Sequence, residues 1–176
     1  IRFVPADQVG AKSFGQPAGC DALIRAVAVG TRGRIYLGGD FRICGDVAAS
    51  RVVLFDTVAR RFSALGPTGS SGTDGSVHSL ALDGESLIVG GSFTRAGDTA
   101  VANVARWDGQ RWSALGTGAQ AVNGLVRALA VDSGTIYAGG DFAQAGGLAV
   151  GNIARWDGTR WVALTGGGVD ATVRAI

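Results

Sequence analysis

His78 is the only histidine in the chain, and it occupies a position that elsewhere holds arginine. Arg25, Arg127 and Arg174 stand at the same place in successive copies of a repeated unit. Four such groups facing a common axis would form a basic ring able to capture an anion. The alternative is charge pairing between units. Asp40 and Asp141 sit at the matching end of the following strand, so an arginine of one unit would meet an aspartate of the next. The internal comparison favours pairing, because the unit with His78 in place of arginine has Ser92 in place of aspartate. Catalysis is not expected. A triad needs a base, a nucleophile and an orienting acid within reach, and no nucleophile elbow accompanies His78. Two cysteines are too few for a thiolate zinc site, and the Asp-Gly pairs lack EF-hand spacing, so neither a metal nor an organic cofactor is implied.

Trp107, Trp112, Trp156 and Trp161 are the second candidate group. Exposed indoles stack on sugar rings. Indoles in phase with a repeat more simply pack between strands, since each contributes a large apolar area. The phase makes these four structural aromatics. Arg106 and Arg155, beside two of them, are placed to lie over neighbouring rings as cation–π partners.

The elements that must position these residues come from the repeat itself. NIARWDGTRWVAL at 152–164 has a near copy at 103–115 and an eroded one at 51–65. Each follows a Gly-Gly pair and a phenylalanine, and the pairs begin at Gly38, Gly90 and Gly139, 52 and 49 residues apart (38 to 90, 90 to 139). A period near fifty marks a copied supersecondary unit. Within it, strand a is expected at 24–29, 77–82 and 126–131, and strand b at 34–41, 86–93 and 135–142. An Ala-Gly-rich loop of about ten residues leads to strand c at 51–56, 103–108 and 152–157. Strand d runs through Phe62, Trp112 and Trp161. Asp108-Gly109 and Asp157-Gly158 read as type I′ hairpin turns. The first glycine of each pair falls on the small-residue face of its strand and lets a neighbouring unit approach closely.

Four antiparallel strands repeated radially describe the blade of an all-β propeller. The order of apolar strand, Gly-Gly, aromatic-Asp and a later aromatic resembles the kelch-type repeat, in the manner of glycine-rich repeats of bacterial surfaces. The resemblance spans about 24–176. The aromatics are 5 residues apart in two copies (107 to 112, 156 to 161) and 7 in the first (55 to 62), unlike a standard kelch repeat. The copper site of kelch-fold oxidases needs two histidines and two tyrosines. Here Tyr36 and Tyr137 are equivalent strand-b positions, which makes them structural. The chain divides into a d-like strand and inserted loop (1–21), three blades (22–75, 76–124, 125–171) and the opening strand of a further blade (172–176). Three complete blades are fewer than the usual minimum of about four, so the segment is not expected to close alone.

The hairpin register brings the two cysteines together. Val29 opposite Ile35 places Cys20 opposite Cys44 when the ladder is continued, and Cys44 stands where the other copies have Ala96 and Ala145. Opposed Cβ atoms lie about 4.5–5.5 Å apart, near bridging distance. A disulfide is therefore expected, with two buried free thiols as the alternative.

Composition narrows the function. The formal charge is +2, and the fifteen arginines among sixteen basic residues are scattered, so no stripe for nucleic acid exists. No apolar run is long enough to span a membrane. Without an initiator Met or signal peptide, the chain reads as processed or as a segment of a longer one. The expected function is a non-enzymatic, extracytoplasmic interaction scaffold or accessory subunit. Its partner is another protein, or the remainder of a longer chain that completes the propeller. The alternatives are a glycan- or anion-binding module and a non-catalytic domain of a larger enzyme.

Overall fold

The computed structural model describes residues 19–116 and 121–176. The d-like strand and most of the inserted loop expected at the start fall outside the described residues, as does part of the link after Leu115. Among the described residues, all regular structure is β. The first unit contains β1 (Ile24–Val29), β2 (Arg34–Gly39), β3 (Ile43–Cys44), β4 (Val47–Ala48), β5 (Val52–Asp56) and β6 (Arg61–Ala64). The second has β7 (Ser76–Asp83), β8 (Ser86–Ser92), β9 (Arg95–Ala96), β10 (Thr99–Ala100), β11 (Val104–Trp107) and β12 (Trp112–Ala114). The third has β13 (Leu125–Asp132), β14 (Thr135–Asp141), β15 (Gln144–Ala145), β16 (Leu148–Ala149), β17 (Ile153–Trp156) and β18 (Trp161–Ala163). Each unit forms one four-stranded antiparallel sheet in chain order, such as β1-β2-β5-β6, with a two-stranded hairpin such as β3-β4 beside it.

Those small hairpins lie where the sequence suggested only loops. Their ladders are two pairs long, and glycines at Gly45, Gly97 and Gly146 take positive φ in the turns. The c–d turns also differ from the I′ expectation. Trp107 pairs with Trp112, leaving a four-residue loop in which Gly109 has φ +100 but Asp108 does not enter the left-handed region. The Asp108 carboxylate instead accepts the amides of Gln110 and Arg111, each at 2.8 Å, and Asp157 does the same for Thr159 and Arg160. These aspartates cap their turns through side chains rather than through backbone type. Residues 172–176 form no strand, although the Val173 amide donates to the Gly140 carbonyl at 3.2 Å.

The a–b register is Val29↔Ile35, Leu82↔Leu87 and Val131↔Ile136, as the alternation predicts. It does not run unbroken. A one-residue shift falls between Ile24 and Ala26, between Val77 and Ser79, and between Val126 and Ala128. Arg25, His78 and Arg127 are thus the extra residues of three equivalent β-bulges, which re-aim side chains.

The units stack through the glycine pairs. A Cβ on Gly90 would lie 2.7 Å from Val126 Cγ1 and 3.0 Å from Leu129 Cδ1, and Gly38 and Gly139 stand in the same relation to Val77 and Val173. The second glycine serves the bulge inside its own sheet, since a Cβ on Gly91 would overlap the Ser76 carbonyl oxygen. Gly91→Ala should therefore lower stability by about 1–3 kcal/mol by overpacking, read as a fall in the urea midpoint. An unchanged midpoint would mean that the backbone has room there.

Candidate functional site

The bulges bring the charged candidates into one row. Arg25 Nη2 lies 2.6 Å from Asp40 Oδ2, with its Nε donating to the same oxygen at 3.0 Å. Arg127 Nε lies 2.6 Å from Asp141 Oδ2. Both pairs are contained within a single blade. This corrects the expectation of pairing from one unit to the next, which assumed an unbroken ladder that put arginine and aspartate on opposite faces. The extra residue in the bulge returns the arginine to the aspartate's side. The joint replacement by His78 and Ser92 is accordingly a same-blade change.

The next blade contributes hydroxyls instead. Thr172 donates to Asp141, and Ser76 lies beside Asp40. Among the described residues, Asp40 Oδ1 nevertheless has no hydrogen-bond partner. The Arg25 guanidinium, then the Ser76 hydroxyl, hold the Asp40 carboxyl below its ordinary range. For Asp141 the leading cause is the Thr172 hydroxyl, followed by Arg127, with Arg174 adding a weaker pull.

His78 lies between the two ion pairs. Burial pushes its pKa down, and the charges of Arg25 and Arg127 push it further, against a smaller opposing effect from Asp40. Its native pKa lies below the unfolded value of about 6.5, so the native state binds fewer protons as the unfolded chain begins to protonate. The neutral imidazole's contribution is complete above about pH 6.5 and is lost as pH falls through the native pKa. His78→Asn should flatten the stability profile below about pH 6.5. An identical acid slope in urea melts of both proteins would contradict this.

Trp107, Trp112 and Trp161 are buried and Trp156 is half-buried. Their rings pair across the c–d hairpin, Trp107 with Trp112 at 5.2 Å and Trp156 with Trp161 at 5.5 Å, as Phe55 does with Phe62 at 4.9 Å. The indole N–H of Trp112 donates to the Leu65 carbonyl at 2.9 Å, and that of Trp161 to Leu115 at 2.7 Å, tying each blade to the one before. Arg106 does not turn to a ring. Its Nη2 lies 2.8 Å from Asp83 Oδ2. Of the two tyrosines, Tyr36 is buried and Tyr137 half-buried.

Cys20 and Cys44 form a disulfide with Cα atoms 4.0 Å apart, on an isolated antiparallel bridge. Equivalent bridges without sulfur join Thr73 to Ala96 and Val122 to Ala145.

Two recurring polar devices escaped the sequence reading. Asp21, Asp74 and Asn123, each three residues before its strand a, accept the two amides that follow the Phe of strand b: Arg42 and Ile43, Thr94 and Arg95, Ala143 and Gln144. Arg51, Asn103 and Asn152 share left-handed backbone (φ +71, +64 and +65) and donate to the carbonyls of Thr73, Val122 and Val169. Their common offsets were visible in the sequence. Their mixed residue types concealed them.

Successive four-stranded antiparallel sheets, each laid on the next through its innermost strands, make this a β-propeller protein. Residues 13–174 match the family model of the Rax2 C-terminal beta propeller domain, and the chain belongs to that family. No curated protein matches the chain significantly.

Proposed function

We propose that this chain is a non-enzymatic, kelch-like propeller segment that works outside the cytoplasm as an interaction scaffold or accessory subunit of a larger assembly. The observation that carries this reading is the outer face of β1. Ile24, Val27 and Val29 occupy the positions of Val77, Leu80 and Leu82. Val77 is fully buried against the first blade, whereas Val27 is 56% and Val29 73% exposed, with Leu23 and Ile24 exposed beside them. Such a contiguous apolar patch marks an interaction surface, and its residues are those that enter a glycine-lined face in the other blades. The fitting occupant is the small-residue face of another blade, from further residues of the same protein or from a partner. The disulfide supports an oxidising compartment. The ion pairs around His78 support a structural use of the only imidazole.

Placing a photo-crosslinking residue at Val27 in the full-length protein tests the reading. The expected product joins Val27 to a glycine-containing β segment, and Val27→Lys should abolish assembly while leaving the β-sheet circular dichroism intact. Crosslinking only to solvent, with assembly unaffected by Val27→Lys, would overturn it.

A further inference from the structure

We propose that the groove between the first and second blades, at the end of the molecule carrying the β3-β4 and β9-β10 hairpins, is a binding site for an acidic saccharide. This site is independent of the β1 face. The groove has a volume of about 430 Å³, within the range of small-molecule sites. Arg42, Arg51 and Arg95 line it, together with Ser70, Asp74 and Asp98.

None of the three guanidinium groups forms an ion pair among the described residues. Arg51 spends one nitrogen on the Thr73 carbonyl and Arg95 one on the Asp98 carbonyl, at 3.0 and 2.9 Å, which fixes both heads and leaves further N–H donors. The two carboxylates do not cancel this charge equally. Asp74 is consumed by the Thr94 and Arg95 amides and the Thr94 hydroxyl. Asp98 accepts from Ser70 through one oxygen only, leaving the other for a ligand hydroxyl.

The repeat supplies its own control. The residues equivalent to Arg42, Arg51 and Arg95 one blade further on are Thr94, Asn103 and Gln144, and Gly147 stands for Asp98. Asn103 and Asn152 make the carbonyl bond of Arg51 without any charge. The blade architecture therefore has no need of three arginines here, and their shared addition at one groove is a property of the groove. Guanidinium forks match carboxylate and sulfate oxygens, while Asp98, Ser70 and the exposed backbone suit sugar hydroxyls. Recognition by stacking is not used, because the nearby Trp107 and Trp112 are buried.

The test uses oligogalacturonate and dextran sulfate as probes, dextran as the neutral control and inorganic sulfate as the free-ion control, by titration calorimetry at fixed salt. Arg42→Thr, Arg51→Asn and Arg95→Gln together install the repeat's own residues and should preserve the fold, checked by an unchanged thermal midpoint. A second variant removes three arginines outside the groove, Arg32→Asn, Arg60→Asn and Arg160→Gln. The groove variant should bind at least one charged oligosaccharide about tenfold more weakly or worse, with the second variant unchanged. Tighter binding to oligogalacturonate than to dextran sulfate would assign a carboxylate ligand, and the reverse a sulfated one. No binding by the parent, equal binding to dextran, equal loss in both variants, or inorganic sulfate binding as tightly as the oligosaccharides would each overturn the proposal.

Discussion

Replacing Trp161 by alanine is expected to lower the stability of the chain by about 3–5 kcal/mol. Trp161 is the largest fully buried side chain, 1% exposed, within a cluster that includes Ile136, Val150 and Ala154. Truncation would leave a cavity against residues held in paired strands, where relaxation is limited. It would also strip the Leu115 carbonyl of its indole donor. Trp161→Phe separates the two effects, since it keeps most of the ring volume and removes the N–H, for an expected loss of about 1–3 kcal/mol. Trp156 forms the other half of the pair but is only half-buried, so Trp156→Ala should cost less. Urea denaturation of the three variants gives the order directly. Equal losses for Trp156→Ala and Trp161→Ala would mean that burial does not set the cost.

Breaking the Cys20–Cys44 bridge should cost about 2–4 kcal/mol. The bridge spans a sequence separation of 24 and ties the segment ahead of β1 to the β3-β4 hairpin, where Cys44 is buried with Phe41, Ala49 and Val53. Most of the effect comes from the unfolded chain, which regains the freedom of that loop on reduction. Unreduced, denatured protein should take up no alkylating agent, and reduced protein should take up two equivalents. Cys20→Ala with Cys44→Ala should unfold at lower urea than the parent under oxidising conditions and match it under reducing ones. A difference that persists in reductant would assign the loss to packing rather than to the crosslink.

The repeat made most of the fold legible, because glycine pairs, aromatics and alternating strands return in phase and each copy checks the others. The pairing of Val29 with Ile35 followed from alternation alone. Cys20 meets Cys44 as expected, but not along the unbroken ladder assumed, because the register shifts by one residue at Arg25 and is restored before Cys20. The bulges at Arg25, His78 and Arg127 did not follow from strict alternation: each inserted residue breaks it, leaving Val77 and Leu80, or Val126 and Leu129, three residues apart on one face, and puts the bulged side chain on the other side. That single reversal moved the ion pairs from between blades to within them. The β3-β4, β9-β10 and β15-β16 hairpins were hidden for a different reason. Ladders of two pairs carry too few residues to show a period. Of the groove arginines, Arg95 lies in β9 while Arg42 and Arg51 flank the β3-β4 hairpin, and only the folded chain brings the three to one groove.

The stacking of the blades has a direction. The glycine-lined faces of the first and second blades take a valine and a leucine of the blade that follows, and never the reverse, so the two sides of a blade are unlike surfaces. A contact between unlike surfaces is head-to-tail. It has no two-fold axis, and it therefore ends only by closing a ring or by continuing as an open chain. On the glycine side of the third blade, the receiving face is filled by Val173 and Ile176 from a segment that forms no strand of its own. Val173 and Ile176 thus take on this face the place that Val77 and Leu80 take on the first, so the same head-to-tail order runs on through residues 172–176.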